Sequence, residues 1–232
     1  MGERCAWVVW FAMACALAAC AVGGAGRTAA RRELAGWSTM GRALVALCGA
    51  LAGVCVVATS TSWASAVELT AIAAALAVGS VTDLGRRIVP NRVVVAILIT
   101  RAVGLCVGAV RAAAGGEGSY RILREAEMSL AGGMTVFLVL LGVRCLWGRV
   151  RGSPREGLGG GDIKLLSACG TYLGPVGGLA CVALSCLLAL VGCVGAWGIQ
   201  RRGATGDGLP HAFPLAPTVL ASMLILTAYR TF

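Results

Sequence analysis

Seven stretches of this chain stay apolar for longer than a soluble helix or strand requires: 6–24, 43–59, 66–82, 93–110, 127–147, 175–198 and 213–230. About 20 apolar residues in helical form cross the hydrocarbon core of a bilayer. Isolated strands cannot, because every backbone group inside the membrane must find its partner internally. A shorter run, 163–174, supplies an eighth candidate that must tilt or be buried among its neighbours. Composition agrees: 58% of the 232 residues are hydrophobic, 13% are charged, and the mean hydropathy is +0.85. The expected fold is all-α, a polytopic transmembrane bundle of about eight helices.

Arginine sets the orientation, since basic loops are retained on the cytoplasmic side. Arg27, Arg31, Arg32 and Arg42, then Arg86, Arg87 and Arg92, then Arg144, Arg149, Arg151 and Arg155, then Arg201 and Arg202 fall in loops that alternate onto one face. They account for 13 of the 20 basic residues. Arg4, Arg111, Arg121, Arg124 and Arg230 lie on the other face, diluted by Glu3, Glu117, Glu125 and Glu127. Both termini are thus expected outside, in a plasma or inner membrane. The net charge of +10 is explained by these scattered loops. It forms no basic stripe with stacking aromatics, so nucleic acid is not an expected partner. Arg101 is the exception, inside an apolar run, where it must face the interior, meet a carboxylate or snorkel. The sequence assigns it no partner. Leu17-Ala18-Ala19-Cys20 has the form of a lipoprotein cleavage box, but Glu3 cancels Arg4 ahead of it, and a retained first helix fits better.

Two carboxylates stand out against this background. Asp83 closes the run 66–82, and Asp162 ends the glycine-rich stretch Gly157-Leu158-Gly159-Gly160-Gly161. By the arginine count both fall at the cytoplasmic surface, where a carboxylate at a membrane helix end points to function. Other chemistry is thinly supplied. Cys5, Cys15, Cys20, Cys48, Cys55, Cys106, Cys145, Cys169, Cys181, Cys186 and Cys193 lie mostly in apolar runs without a C-x-x-C pair, and read as small buried hydrophobes. His211 alone makes no metal site. No metal and no cofactor is expected. Two aspartates that share a water can share one proton: the ionised partner takes a proton from water, while the protonated one polarises a carbonyl and later protonates a leaving amine. Peptide hydrolysis follows, with the role assigned to the pair as a unit. Gly159, Gly160 and Gly161 would let an extended substrate backbone approach closely. The competing reading makes the triplet a flexible loop and Asp162 an N-cap. No Gly-Lys-Ser/Thr follows, which excludes a phosphate loop.

Asp83-Leu84-Gly85-Arg86-Arg87-Ile88-Val89-Pro90-Asn91 and Gly159-Gly160-Gly161-Asp162-Ile163-Lys164 resemble the two signature segments of the type IV prepilin leader peptidases, polytopic aspartic endopeptidases whose second motif is G-x-G-D. Phe213-Pro214-Leu215-Ala216-Pro217 resembles the start of that family's last helix. The resemblance covers 66–232 and implies a six-helix peptidase core there, preceded by two helices in 1–65. It implies catalysis by Asp83 and Asp162, with Gly159 and Gly161 in the fixed glycine positions. The implied substrates are prepilins and pilin-like secretion or competence proteins, whose basic leaders are removed at the cytoplasmic face, commonly after glycine. Lys164 also matches the family, but a helix turns it about 200° from Asp162, into a supporting or lipid-facing place. The loop 25–42 is short and lacks the paired cysteines of the family's methyltransferase region, so a peptidase without methylation is expected.

Two other classes compete. Presenilin-like and signal-peptide-peptidase-like intramembrane proteases also use an aspartate pair with G-x-G-D, but here both aspartates abut loops and the first leads into a basic turn. A transporter or assembly scaffold could use the carboxylates for a cation or a basic tail, yet no glycine triplet near Asp83 matches the one at Asp162, as inverted repeats would require.

Overall fold

The computed structural model describes residues 63–86, 88–115, 119–151, 159–202 and 215–229. The expected first two helices, the loop 25–42, His211 and the residues 213–214 lie outside the described residues. Among the described residues there are five helices: α1 (Trp63–Arg86), α2 (Asn91–Gly115), α3 (Ser119–Arg151), α4 (Gly160–Arg202) and α5 (Ala216–Tyr229). The all-α expectation holds for the described residues, and each apolar run from residue 66 onward overlaps a helix. The expected total of eight and the six-helix core are not established by these five.

Three helical stretches are long and apolar enough to cross a membrane, namely Asn91–Gly115, Tyr120–Val150 and Gly160–Val194, and Ala64–Ser80 and Ala216–Tyr229 are shorter apolar helices. Large apolar side chains cover the outside as well as the inside. Val95, Leu98, Ile99, Val103 and Leu138 are exposed, as a lipid-facing surface requires, while Leu69, Ile72 and Leu76 of α1 recur at helical spacing and point inward. They meet Val93, Val94 and Ile97 of α2, Leu165, Leu166 and Leu173 of α4, and Val219 and Met223 of α5 in one core. Ser80, Thr82, Thr100, Ser167 and Thr227 return their hydroxyls to carbonyls of the preceding turn. Among the described residues no buried side-chain nitrogen or oxygen lacks a hydrogen-bond partner, which a bilayer setting demands.

The fourth helix is not one rod. Gly174 has φ 74° and ψ 180°, a non-helical conformation that favours glycine, and Pro175 follows it. A Cβ built on Gly178 would lie 3.1 Å from the Cα of Gly170. In a straight helix eight residues separate Cα atoms by about 12 Å, so the chain reverses at Gly174. The halves 160–173 (α4a) and 175–202 (α4b) run alongside each other. The break falls at the boundary between the apolar runs 163–174 and 175–198. As expected of so short a segment, α4a is buried among its neighbours: Ile163, Leu165, Leu166, Ala168, Cys169 and Leu173 are all buried.

Glycine permits a close helix–helix contact in the bundle. A Cβ on Gly132 of α3 would collide with the carbonyl oxygen of Gly170 and stand 2.7 Å from the backbone of Gly174. The α3 backbone therefore lies directly on α4a, the close approach that small residues permit between membrane helices. One cysteine expectation is corrected here. Cys169 and Cys181 are buried, but Cys106, Cys145, Cys186 and Cys193 are exposed on helix surfaces, because a lipid-facing surface accepts a small apolar side chain as readily as the core does. The remaining cysteines lie outside the described residues.

Candidate active site

The site is assembled at one end of the bundle, where α1 ends and α4a and α5 begin. Asp83 lies one turn before the end of α1 and is 6% exposed. Its Oδ2 accepts the backbone N–H of Ala216 at 2.9 Å. Ala216 is the first residue of α5, and the Leu215 carbonyl already accepts the N–H groups of Thr218 and Val219. The Ala216 N–H is therefore one of the donors a helix start leaves without an internal partner. A carboxylate from another helix takes that role, in the favourable field of the helix N-terminus. The Leu215-Ala216-Pro217 segment is thus placed against Asp83, a link that the sequence alone did not reveal.

Asp162 is the third residue of α4 and not its cap. The cap is Gly159, whose carbonyl accepts the N–H groups of Asp162 and Ile163 at 3.1 and 3.2 Å. The Asp162 carboxylate accepts the Gly159 N–H, the half of a capping box that a carboxylate at the third helical position supplies. A Cβ on Gly159 would come within 2.9 Å of Asp162 Oδ2, so a side chain there would press on the carboxylate. Gly161 faces Val89 of the α1–α2 turn, at 3.4 Å from a built Cβ to its Cβ, and Gly160 faces the Arg144 guanidinium at the same distance. Gly159 and Gly160 are exposed and Gly161 is half-buried.

The two aspartates come near enough for their charges to act on each other. Lys164 is exposed and turned away from the pair, as the helical angle predicts, and its Nζ donates to Asn91 Oδ1 at 3.4 Å. It ties the start of α4 to the start of α2, and so joins the two motif segments. Asn91 had no role in the sequence reading. Among the described residues no group of three or more His, Cys, Asp or Glu side chains is placed to hold a metal ion.

The pattern of the type IV leader peptidase family matches residues 70–194, more than half of the chain and both aspartates with it. The chain belongs to this family. Neither a curated protein nor a solved structure gave a match. Membership in the type IV leader peptidase family identifies a protease, and with its long apolar helices it identifies a membrane protein.

Proposed function

We propose that this chain is a membrane aspartic endopeptidase that removes the basic leader from type IV prepilins and pilin-like secretion or competence proteins at the cytoplasmic membrane face. Asp83 and Asp162 are its catalytic pair. The observation that carries this reading is the convergence of two carboxylates, remote in sequence, at the ends of two helices within range of each other's charge.

Each carboxylate holds one backbone donor, Ala216 N–H on Asp83 and Gly159 N–H on Asp162, which fixes its orientation. The second oxygen of each is left to hold a common water. One aspartate takes a proton from that water as it attacks the scissile carbonyl carbon, while the other gives its proton to the carbonyl oxygen. Collapse of the gem-diol intermediate breaks the C–N bond: the amine leaves with the proton just taken from water, and a gem-diol hydroxyl returns its proton to the aspartate that had protonated the carbonyl oxygen. The pair ends with one proton, as it began, and needs no cofactor. Gly159 and Gly160, exposed beside Asp162, offer a surface for an extended substrate backbone, with Gly161 behind them.

The substrate fits by its physical shape. A prepilin joins a basic leader to a long apolar helix, which can lie in the bilayer beside the enzyme with its junction at the aqueous boundary. Helix ends carry the aspartates to that boundary, which favours this reading over cleavage inside a substrate's apolar span. Peptidase activity without methylation is the form proposed.

The test is co-expression with a panel of prepilin-like proteins, with leader removal followed by mass spectrometry. Cleavage at the leader junction by the unaltered enzyme, absent from Asp83→Asn and Asp162→Asn, yielding an unmethylated terminus, is expected. Processing that survives both substitutions refutes the pair.

A further inference from the structure

Arg101 sits on α2 and is 8% exposed, far along the bundle from the aspartates. Its Nη1 donates to Glu68 Oε1 at 3.0 Å, its Nη2 to Glu125 Oε1 at 3.4 Å and its Nε to Ser129 Oγ at 3.2 Å. Its guanidinium lies 5.7 Å from the ring centroid of Tyr172. Four helices thus meet on one side chain. Gly104, one turn beyond Arg101, makes room, since a Cβ there would lie 2.6 Å from the Glu68 carboxyl. A cavity of about 450 Å³ borders the cluster, in which Arg101 is buried, Glu68 is largely buried and Glu125 is exposed.

Ser129 gives the cluster a purpose. Its hydroxyl donates to the carbonyl oxygen of Thr171 at 2.7 Å. In an unbroken helix that carbonyl would accept from the residue four positions on, which is Pro175 and has no N–H. The reversal at Gly174 therefore leaves the last turn of α4a with an orphan acceptor, and Ser129, held by Arg101, fills it. Glu68 belongs to α1, the helix that carries Asp83, and Thr171 belongs to α4a, which carries Asp162. At their other ends the two aspartate helices are joined through a single guanidinium.

We propose that Arg101 is a positioning residue: through Ser129 and Glu68 it clamps the far ends of α1 and α4a and so sets the spacing of Asp83 and Asp162. The proposal rests on the peptidase reading for its effect on rate, while the clamp itself has a structural readout. Ser129→Ala is the cleanest variant, because it cuts the link to Thr171 and leaves the Arg101–Glu68 pair intact. Arg101→Lys keeps the charge but cannot hold three acceptors in a fork.

The experiment measures prepilin cleavage by the full chain together with the electron–electron distance between genetically encoded spin labels at Ile88 and Lys164, both exposed near the aspartates. Ser129→Ala and Arg101→Lys are expected to lower kcat on the order of tenfold with KM little changed, since small misplacements of catalytic groups carry large rate penalties. The distance distribution broadens in parallel, and Ser129→Thr, which keeps the hydroxyl, restores both. Variants that lose only folded yield or thermal stability, with kcat and distance distribution unchanged, overturn the proposal. A wild-type enzyme that cleaves no prepilin, with a distance that still responds to Ser129→Ala, refutes the peptidase reading and leaves the clamp standing.

Discussion

Asp83 serves two ends with two oxygens, and substitutions separate them. Asn keeps an oxygen for the Ala216 N–H, so Asp83→Asn should abolish cleavage while the protein still inserts and melts near the wild-type temperature in detergent. Asp83→Ala also removes the cap of α5 and should be less stable by about 1–2 kcal/mol, the usual cost of losing a helix cap. Equal stability of the two variants would show that the Ala216 contact does not hold α5. Gly159→Ala probes the other carboxylate. The new methyl meets Asp162 Oδ2 at 2.9 Å, and a displacement of that group should lower kcat on the order of tenfold or more without unfolding the protein. A rate equal to wild type in the cleavage assay would mean that Asp162 yields without consequence. Lys164→Ala should retain most activity, since its contact with Asn91 is long and exposed.

The elements explain what the sequence could and could not disclose. Helix positions were legible because lipid-facing and buried faces are both apolar, so a long apolar run and a helix coincide. The Gly174–Pro175 boundary was legible too, since Gly allows positive φ and Pro removes a donor. Partners across helices were not. Glu68 stands in an apolar run as conspicuously as Asp83, but nothing in the spacing says that α1 and α2 meet with Glu68 opposite Arg101. Ser129 looks like an ordinary hydroxyl residue until the orphan carbonyl of Thr171 is found beside it, and Ala216 has no side chain to advertise its N–H. The α3–α4a contact was equally silent, because Gly132 matters through the Gly170 carbonyl that lies where its Cβ would be. Gly132→Ala should therefore force the two backbones apart and destabilise the bundle by roughly 1–3 kcal/mol or more, as overpacking of a tight contact does. Thermal unfolding in detergent reads this directly, and Gly142→Ala, where a Cβ meets nothing within 4 Å, is the matched control.

For the whole molecule the proposed orientation has a direct check. Reporter groups in the α1–α2 turn at Ile88 and at the start of α4 should be reached by membrane-impermeant reagents from the cytoplasmic side only, and labels at Tyr120 from the opposite side only. Labelling of Ile88 and Tyr120 from the same side would invert or break the arrangement.

The reversal at Gly174 carries a further consequence of parity. A single 35-residue crossing over Gly160–Val194 would deliver the chain to the far leaflet, and α5 would begin a membrane's width away from Asp83. The 2.9 Å bond from Ala216 to Asp83 can form only if the chain makes an even number of passes between Asp162 and Ala216. One glycine with positive φ therefore decides on which side of the bilayer the last helix starts, and with it whether the first aspartate has anything to hold.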